Sequence, residues 1–276
     1  MERDMKRTII QYTTVVLAFL AGMIFMTYMT RMGNRDMTGD MAQAQLPVVY
    51  AEQDGVLYNE MHGYVEDMDG ASMRDSVIGV SEDHKVGLAL EKYNAQIKSV
   101  SYEVRSLDMS RLIEGGDDLQ AEDDGKYLHV SLTLKDLLTQ GEEYLLVLKV
   151  QTEDQDLVRF YSILTYLGTN HVQDCVDFAQ RFHEMTLTGD SDGVLNYLEQ
   201  DGSMDGKNLG YINIHSRSGP VTWGDMQVVE TGETSLRFTD LESDITALTM
   251  EYQATNTETS EQYQVREAYR LRYTST

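Results

Sequence analysis

Asp201-Gly202-Ser203-Met204-Asp205-Gly206 places oxygen-bearing side chains at alternate positions and a glycine at the sixth, as a calcium loop opens. Calcium takes about six to eight hard oxygens, and in such a loop a bidentate Glu at the twelfth position supplies two of them. The twelfth position here is Ile212. Asp201, Ser203 and Asp205 are therefore the candidate metal ligands, in a loop that fails where affinity is decided. Asp190-Ser191-Asp192-Gly193 and Glu122-Asp123-Asp124-Gly125 are shorter matches and read as solvated turns. No cofactor is expected.

A second constellation is cationic. Read as a strand, Gln262–Tyr273 puts Arg266, Arg270 and Arg272 on one face and Tyr263, Val265, Glu267, Tyr269, Leu271 and Tyr273 on the other. Three aligned guanidiniums suit an anion, a phosphate or carboxylate of a wall polymer, whose oxygens they meet in pairs. The plainer alternative is cross-strand pairing with Glu and Asp of neighbouring strands. Trp223 is the candidate for stacking on a sugar ring, against the commoner fate of strand aromatics, which fill a core or pair across a sheet.

His171 and Cys175 stand four apart on one helical face, with His183-Glu184 beyond, and zinc accepts such atoms. Cys175 also belongs to an apolar stripe, and no second close pair completes a tetrahedral set. G-x-S-x-G, H-E-x-x-H, Walker and S-x-x-K motifs are absent. So is L-P-x-T-G: Leu46-Pro47 is followed by Val48-Val49-Tyr50. The expectation is a protein without catalytic activity, the alternative an envelope hydrolase with an unrecognised site.

The elements that must position these residues change character at Gly168. Upstream, alternating runs predict strands at Val48–Ala51, Val56–Tyr58, Ser76–Val80, Lys85–Leu90, Ile97–Ser106, Lys126–Leu134, Glu143–Thr152 and Leu157–Tyr166. Asp54-Gly55 predicts a tight hairpin between the first two, because both central turn positions need positive φ. Downstream, Thr169 or Asn170 is placed to cap a helix from His171, with Val172, Cys175, Val176, Ala179 and Phe182 on one face. A short second helix is expected at Val194–Leu198. Strands then follow at Leu209–His215, Thr222–Val229, Leu236–Thr239, Ile245–Gln253 and Gln262–Tyr273.

All of this hangs on Thr8–Thr30, an uncharged run bracketed by Lys6-Arg7 and Arg31. As a helix it covers roughly 34 Å, enough for a hydrocarbon core of about 30 Å. Gln11, Thr13, Thr14 and Thr27 can satisfy their polar groups on the helix backbone or at the interface. A cleaved signal peptide is the competitor, with Ala42-Gln43-Ala44 in the form of a cleavage site, but Arg31, Arg35 and Asp36 intervene and signal cores are shorter, about 7–15 residues. The reading is an uncleaved anchor in contact with membrane lipid, a cytoplasmic tip at 1–7, a stalk at 31–45, and the rest extracellular. Arg3, Lys6 and Arg7 against Arg31 and Arg35 favour that orientation.

Residues 32–276 keep 18 of the 22 Lys and Arg but 44 of the 46 Asp and Glu. So acidic a body repels nucleic acid, which is excluded as a partner. With Cys175 the single cysteine, no internal disulfide forms.

Leu137, Leu138, Gly141 and Tyr144 precede the run Leu145–Val150. This resembles the tyrosine corner of immunoglobulin-like and fibronectin-type-III domains over about residues 76–166. The resemblance implies a β-sandwich at 46–167, here without the buried Trp and disulfide, followed by a smaller α+β domain at 168–276. Leu46–Tyr64 together with Ser101–Glu114 (SYEVRSLDMSRLIE) resembles exported single-pass proteins of anaerobic Gram-positive bacteria, a resemblance that implies no chemistry. The fold expectation is thus mainly β with one transmembrane helix. The functional expectation is a scaffold or interaction protein of the cell envelope, with an envelope protein as partner; the alternative is binding of a cell-wall polymer or carbohydrate through the second domain.

Overall fold

Alternation is clearest at Ile97–Arg105, where Val100, Tyr102 and Val104 are buried and the residues between them are not. The computed structural model describes residues 2–33, 46–73, 76–117, 119–153, 157–169, 171–201, 210–224 and 226–274. Two units are distinguished, residues 1–43 and 44–276.

The first unit is helix α1 (Glu2–Gly33), whose stretch Met5–Tyr28 is long and apolar enough to cross a membrane. Thr14 and Thr27 donate their hydroxyls to the carbonyls of Ile10 and Met23, at 2.9 and 2.8 Å, which satisfies them within the helix. The helix also takes in Arg31–Gly33, the first residues of the expected stalk; residues 34–45 lie outside the described residues.

In the second unit the strands are β1 (Val48–Gln53), β2 (Val56–His62), β3 (Val77–Ser81), β4 (Lys85–Glu91), β5 (Ile97–Arg105), β6 (Leu112–Gly116), β7 (Ala121–Asp123), β8 (Tyr127–Thr133), β9 (Glu143–Thr152) and β10 (Leu157–Gly168). Helices α2 (Val172–Thr188), α3 (Ser191–Leu195) and α4 (Ser218–Val221) follow, then β11 (Val228–Leu241), β12 (Ile245–Asn256) and β13 (Gln262–Arg272). Three sheets result, in the orders β2-β1-β4-β8-β7, β3-β10-β9-β5-β6 and β11-β12-β13. Pairing is antiparallel except between β3 and β10.

The β1–β2 hairpin turns on Asp54 and Gly55, both at positive φ (49° and 82°), as the sequence requires. At the turn before β9 the Thr139 backbone N–H donates to the Tyr144 hydroxyl at 2.9 Å. Close approach fixes one glycine: a Cβ on Gly87 would lie 2.5 Å from the Glu52 carbonyl oxygen of the neighbouring strand.

Val49, Leu88, Leu90 and Leu132 of the first sheet share a core with Val100, Leu146, Leu148 and Phe160 of the second. The same core takes in Val172, Val176 and Ala179 of α2 and Phe238, Leu248 and Met250 of the third sheet, so it is continuous across residue 167. Asn59 closes the junction. Fully buried, and in the left-handed region at φ 53°, it donates from Nδ2 to the Val77 carbonyl and accepts at Oδ1 from the Phe238 N–H, both at 2.7 Å. One side chain thereby ties β2, β3 and β11 together.

Two expected strands do not form. At Leu209–His215 the described residues make a turn: the Asn213 side chain accepts the His215 N–H at 3.0 Å, and Ser216 Oγ accepts the Asn213 N–H at 3.0 Å. Such local bonds offer the backbone an alternative to a ladder. Thr222 caps the C-terminus of α4, and the strand starts only at Val228. The short second helix spans Ser191–Leu195 rather than Val194–Leu198, because Asp190 caps it through the Gly193 N–H at 2.9 Å.

Candidate functional site: the two faces of the third sheet

The inner face of the third sheet is covered by α2. The apolar stripe Val172, Cys175, Val176 and Ala179 is buried there, and Gly189 ends the helix at φ 73°. One turn beyond the stripe, His183 is also buried. Its Nδ1 lies 3.1 Å from Glu267 of β13 and its Nε2 3.5 Å from Glu230 of β11. The Tyr252 hydroxyl donates to Glu267 at 2.8 Å, and the Tyr269 hydroxyl donates to its other oxygen. A partly buried carboxylate thus collects an imidazole and two phenols from three elements.

The electrostatics of this cluster are self-consistent. Burial opposes the charge on Glu267, but the hydrogen bonds from His183, Tyr269 and Tyr252 outweigh it and hold the carboxyl below its ordinary value. Burial likewise opposes the charge on His183, and its bonds to Glu267 and Glu230 prevail, raising it above the ordinary 6.5. Burial, then the Glu267 charge, drives both phenols far up, so they remain donors. With three donors on its two oxygens, Glu267 serves as a clamp between helix and sheet.

This clamp has a pH signature. His183, raised in the folded state, contributes stability that is fully present below its unfolded value and is lost as pH rises through its folded value. Glu267, lowered, contributes stability present above its unfolded value and lost as pH falls through its folded one. Urea unfolding across the pH range should therefore show the gap between the natural chain and His183→Gln widest between those limits and closing on both sides. A gap independent of pH would contradict the charged pair.

The outer face carries the arginines. Arg266 Nε meets Glu251 Oε1 at 2.6 Å, and Arg237 reaches the same oxygen at 3.7 Å. Cross-strand pairing therefore accounts for Arg266. Arg270 and Arg272 are exposed, and among the described residues no carboxylate lies within 4.0 Å of either. In the row of Arg270 the register places Ala247 and then Asp240, two strands and about 10 Å away.

The other candidates fall elsewhere. Ser203 and Asp205 lie outside the described residues, and Asp201 sits 3.5 Å from His215 Nδ1. Trp223 is half-buried at φ 64°, its ring 5.8 Å from that of Tyr263. His171 bonds Asp174 at 3.1 Å and stacks on Tyr273 at 3.4 Å, while Cys175 faces the core, its thiol pushed up by burial. On the outward side of α2 a groove is lined by Phe178, Arg181, Glu184, Asp190 and Tyr197.

Sequence reading missed the His183 clamp, since its partners are 84 and 47 residues away; the signal was Glu267, the one charge on the aromatic face of β13. It also missed His129, which bridges Glu52 at 2.7 Å and Asp124 at 3.2 Å on the first sheet and is raised by those bonds.

No family model matches the chain, and no curated protein matches it. Among solved structures, an engineered protein determined in structural genomics aligns at 11% identity over 45% of this chain and 21% of its own, with a TM-score of 0.27. CopC from Methylosinus trichosporium OB3b aligns at 15% identity over 40% of this chain and 100% of its own, with a TM-score of 0.24. The chain spans about a fifth of the first of these.

Proposed function

We propose that the chain is a membrane-anchored interaction or scaffold protein of a bacterial cell envelope, without catalytic activity. Residues 8–30 of α1 span the membrane with the N-terminus cytoplasmic, and residues 46–276 are displayed outside. The first two sheets are taken as an Ig-like sandwich, and α2, α3 and β11–β13 as the α+β part that meets the partner. The observation that carries this reading is the conjunction of two exposures. Leu17, Phe19, Ile24 and Phe25 leave large apolar side chains exposed on α1, a surface that suits lipid. Among the described residues no carboxylate pairs Arg270 or Arg272, in a chain of net charge −24.

The experiment is a crosslinking pull-down from intact cells with the full-length protein. Enrichment of one membrane or secreted protein is the expected result. A mature chain beginning at Gln45, released from the membrane, would contradict the anchor.

A second reading, binding of a cell-wall polymer or carbohydrate, is favoured by the α2 groove. Tyr197 is 47% exposed there and meets Phe178 edge-on at 5.1 Å, an apolar platform beside Arg181, Glu184 and Asp190. Recovery of wall fragments without a protein partner would move the assignment to this groove.

A further inference from the structure

The register of the β12–β13 hairpin determines which backbone groups of β13 are free. Pairing runs without a bulge from Thr255 opposite Gln262 to Ile245 opposite Arg272. At one end the Asn256 N–H bonds the Glu261 carbonyl (2.9 Å); at the other the Tyr273 N–H bonds the Asp244 carbonyl (2.8 Å). Hydrogen-bonded pairs alternate in an antiparallel ladder, so the odd residues of β13 spend their backbone groups on β12. The even residues, Gln262, Gln264, Arg266, Ala268, Arg270 and Arg272, turn theirs outward. The strand ends the sheet, and among the described residues nothing bonds those outward groups.

These same even residues are the ones whose side chains are exposed on the open face. An eleven-residue edge with free donors and acceptors is a template for another strand. The directly opposite residues of an added strand would set their side chains beside the arginines, in the closest rows of the same face.

The geometry points to strand addition at β13 by an extended acidic segment of a partner protein. In antiparallel addition, carboxylates two residues apart face Arg272 and Arg270; Arg266 is already held by Glu251. Charge selects this occupant over a second copy of the chain. A second copy would bring three more arginines to the same face. The inference deepens the interaction reading and rests on it.

The test uses the full chain in detergent micelles and a nine-residue β-prone peptide with Glu at its first and third positions. The peptide should bind. Exchanging its two Glu for Gln should weaken binding about fivefold, the sum expected of two exposed pairs. N-methylation at the third, fifth and seventh positions should abolish binding, because those amides face β13; N-methylation at the second, fourth and sixth should spare it. Arg270→Glu with Arg272→Glu should lose the Glu peptide and gain one carrying Lys at the same positions. Both arginines are exposed, so the fold is not at risk. Equal binding by the two N-methylated peptides would reduce the effect to charge alone and overturn strand addition, as would absence of binding. If the cellular pull-down still enriches a protein partner, the interaction reading stands and the edge assignment alone falls.

Discussion

Glu267→Ala is expected to lower the stability of residues 44–276 by about 3–5 kcal/mol, the range for removing one member of a buried ion pair. His183, buried and raised above its ordinary value by its carboxylate partners, would keep only the longer contact to Glu230 at 3.5 Å. Tyr252 and Tyr269 would lose their acceptor in the same step. Glu267→Gln keeps an oxygen for one of the donors but not the charge, and its expected loss is about 1.5–3 kcal/mol. Replacing both partners, His183→Leu with Glu267→Leu, should recover part of the stability, since an apolar pair leaves no stranded charge. Denaturant titration followed by tyrosine fluorescence measures all three. A double variant no better than Glu267→Ala would show that the cluster does more than offset its own burial.

The second large effect is expected at Asn59. Asn59→Ala removes both bonds that join β2 to β3 and β11, leaving the Val77 carbonyl and the Phe238 N–H buried without partners. Each such group costs about 1–3 kcal/mol. Alanine at φ 53° adds about 1–2 kcal/mol of backbone strain. The expected total is about 3–8 kcal/mol, with Asn59→Gly milder by the strain alone. Because the three strands belong to three different sheets, the loss should appear as one cooperative shift of the whole unit. Separate melting of β11–β13 would mean that Asn59 does not couple them.

Much of this architecture was legible in the sequence because it rests on local pattern. Strands β3, β4, β5, β8, β9 and β10 lie within two residues of where alternation places them. Asp54-Gly55 declares its turn, and the stripe of α2 declares its buried face. What stayed hidden depends on distance along the chain. Ala121–Asp123 makes a strand by bonding β8 and has no apolar alternation of its own. Leu209–His215 carries apolar residues enough for a strand, yet the Asn213 side chain supplies a local turn that outcompetes it. On β13 the sequence separated the arginine face from the aromatic face. It did not show that Glu251 occupies Arg266 while Arg270 and Arg272 remain exposed, nor that Glu267 receives His183 from a helix 84 residues earlier.

The most direct measurement places a photoreactive amino acid at Ala268, between Arg266 and Arg270, in the full-length chain in intact cells. A matched control carries it at Ser131, exposed on the first sheet. The expected result is a discrete adduct with one envelope protein from Ala268 and not from Ser131, the crosslinked peptide mapping to an extended acidic segment. No adduct at Ala268, or the same adducts from both positions, would contradict a displayed module that captures its partner along β13.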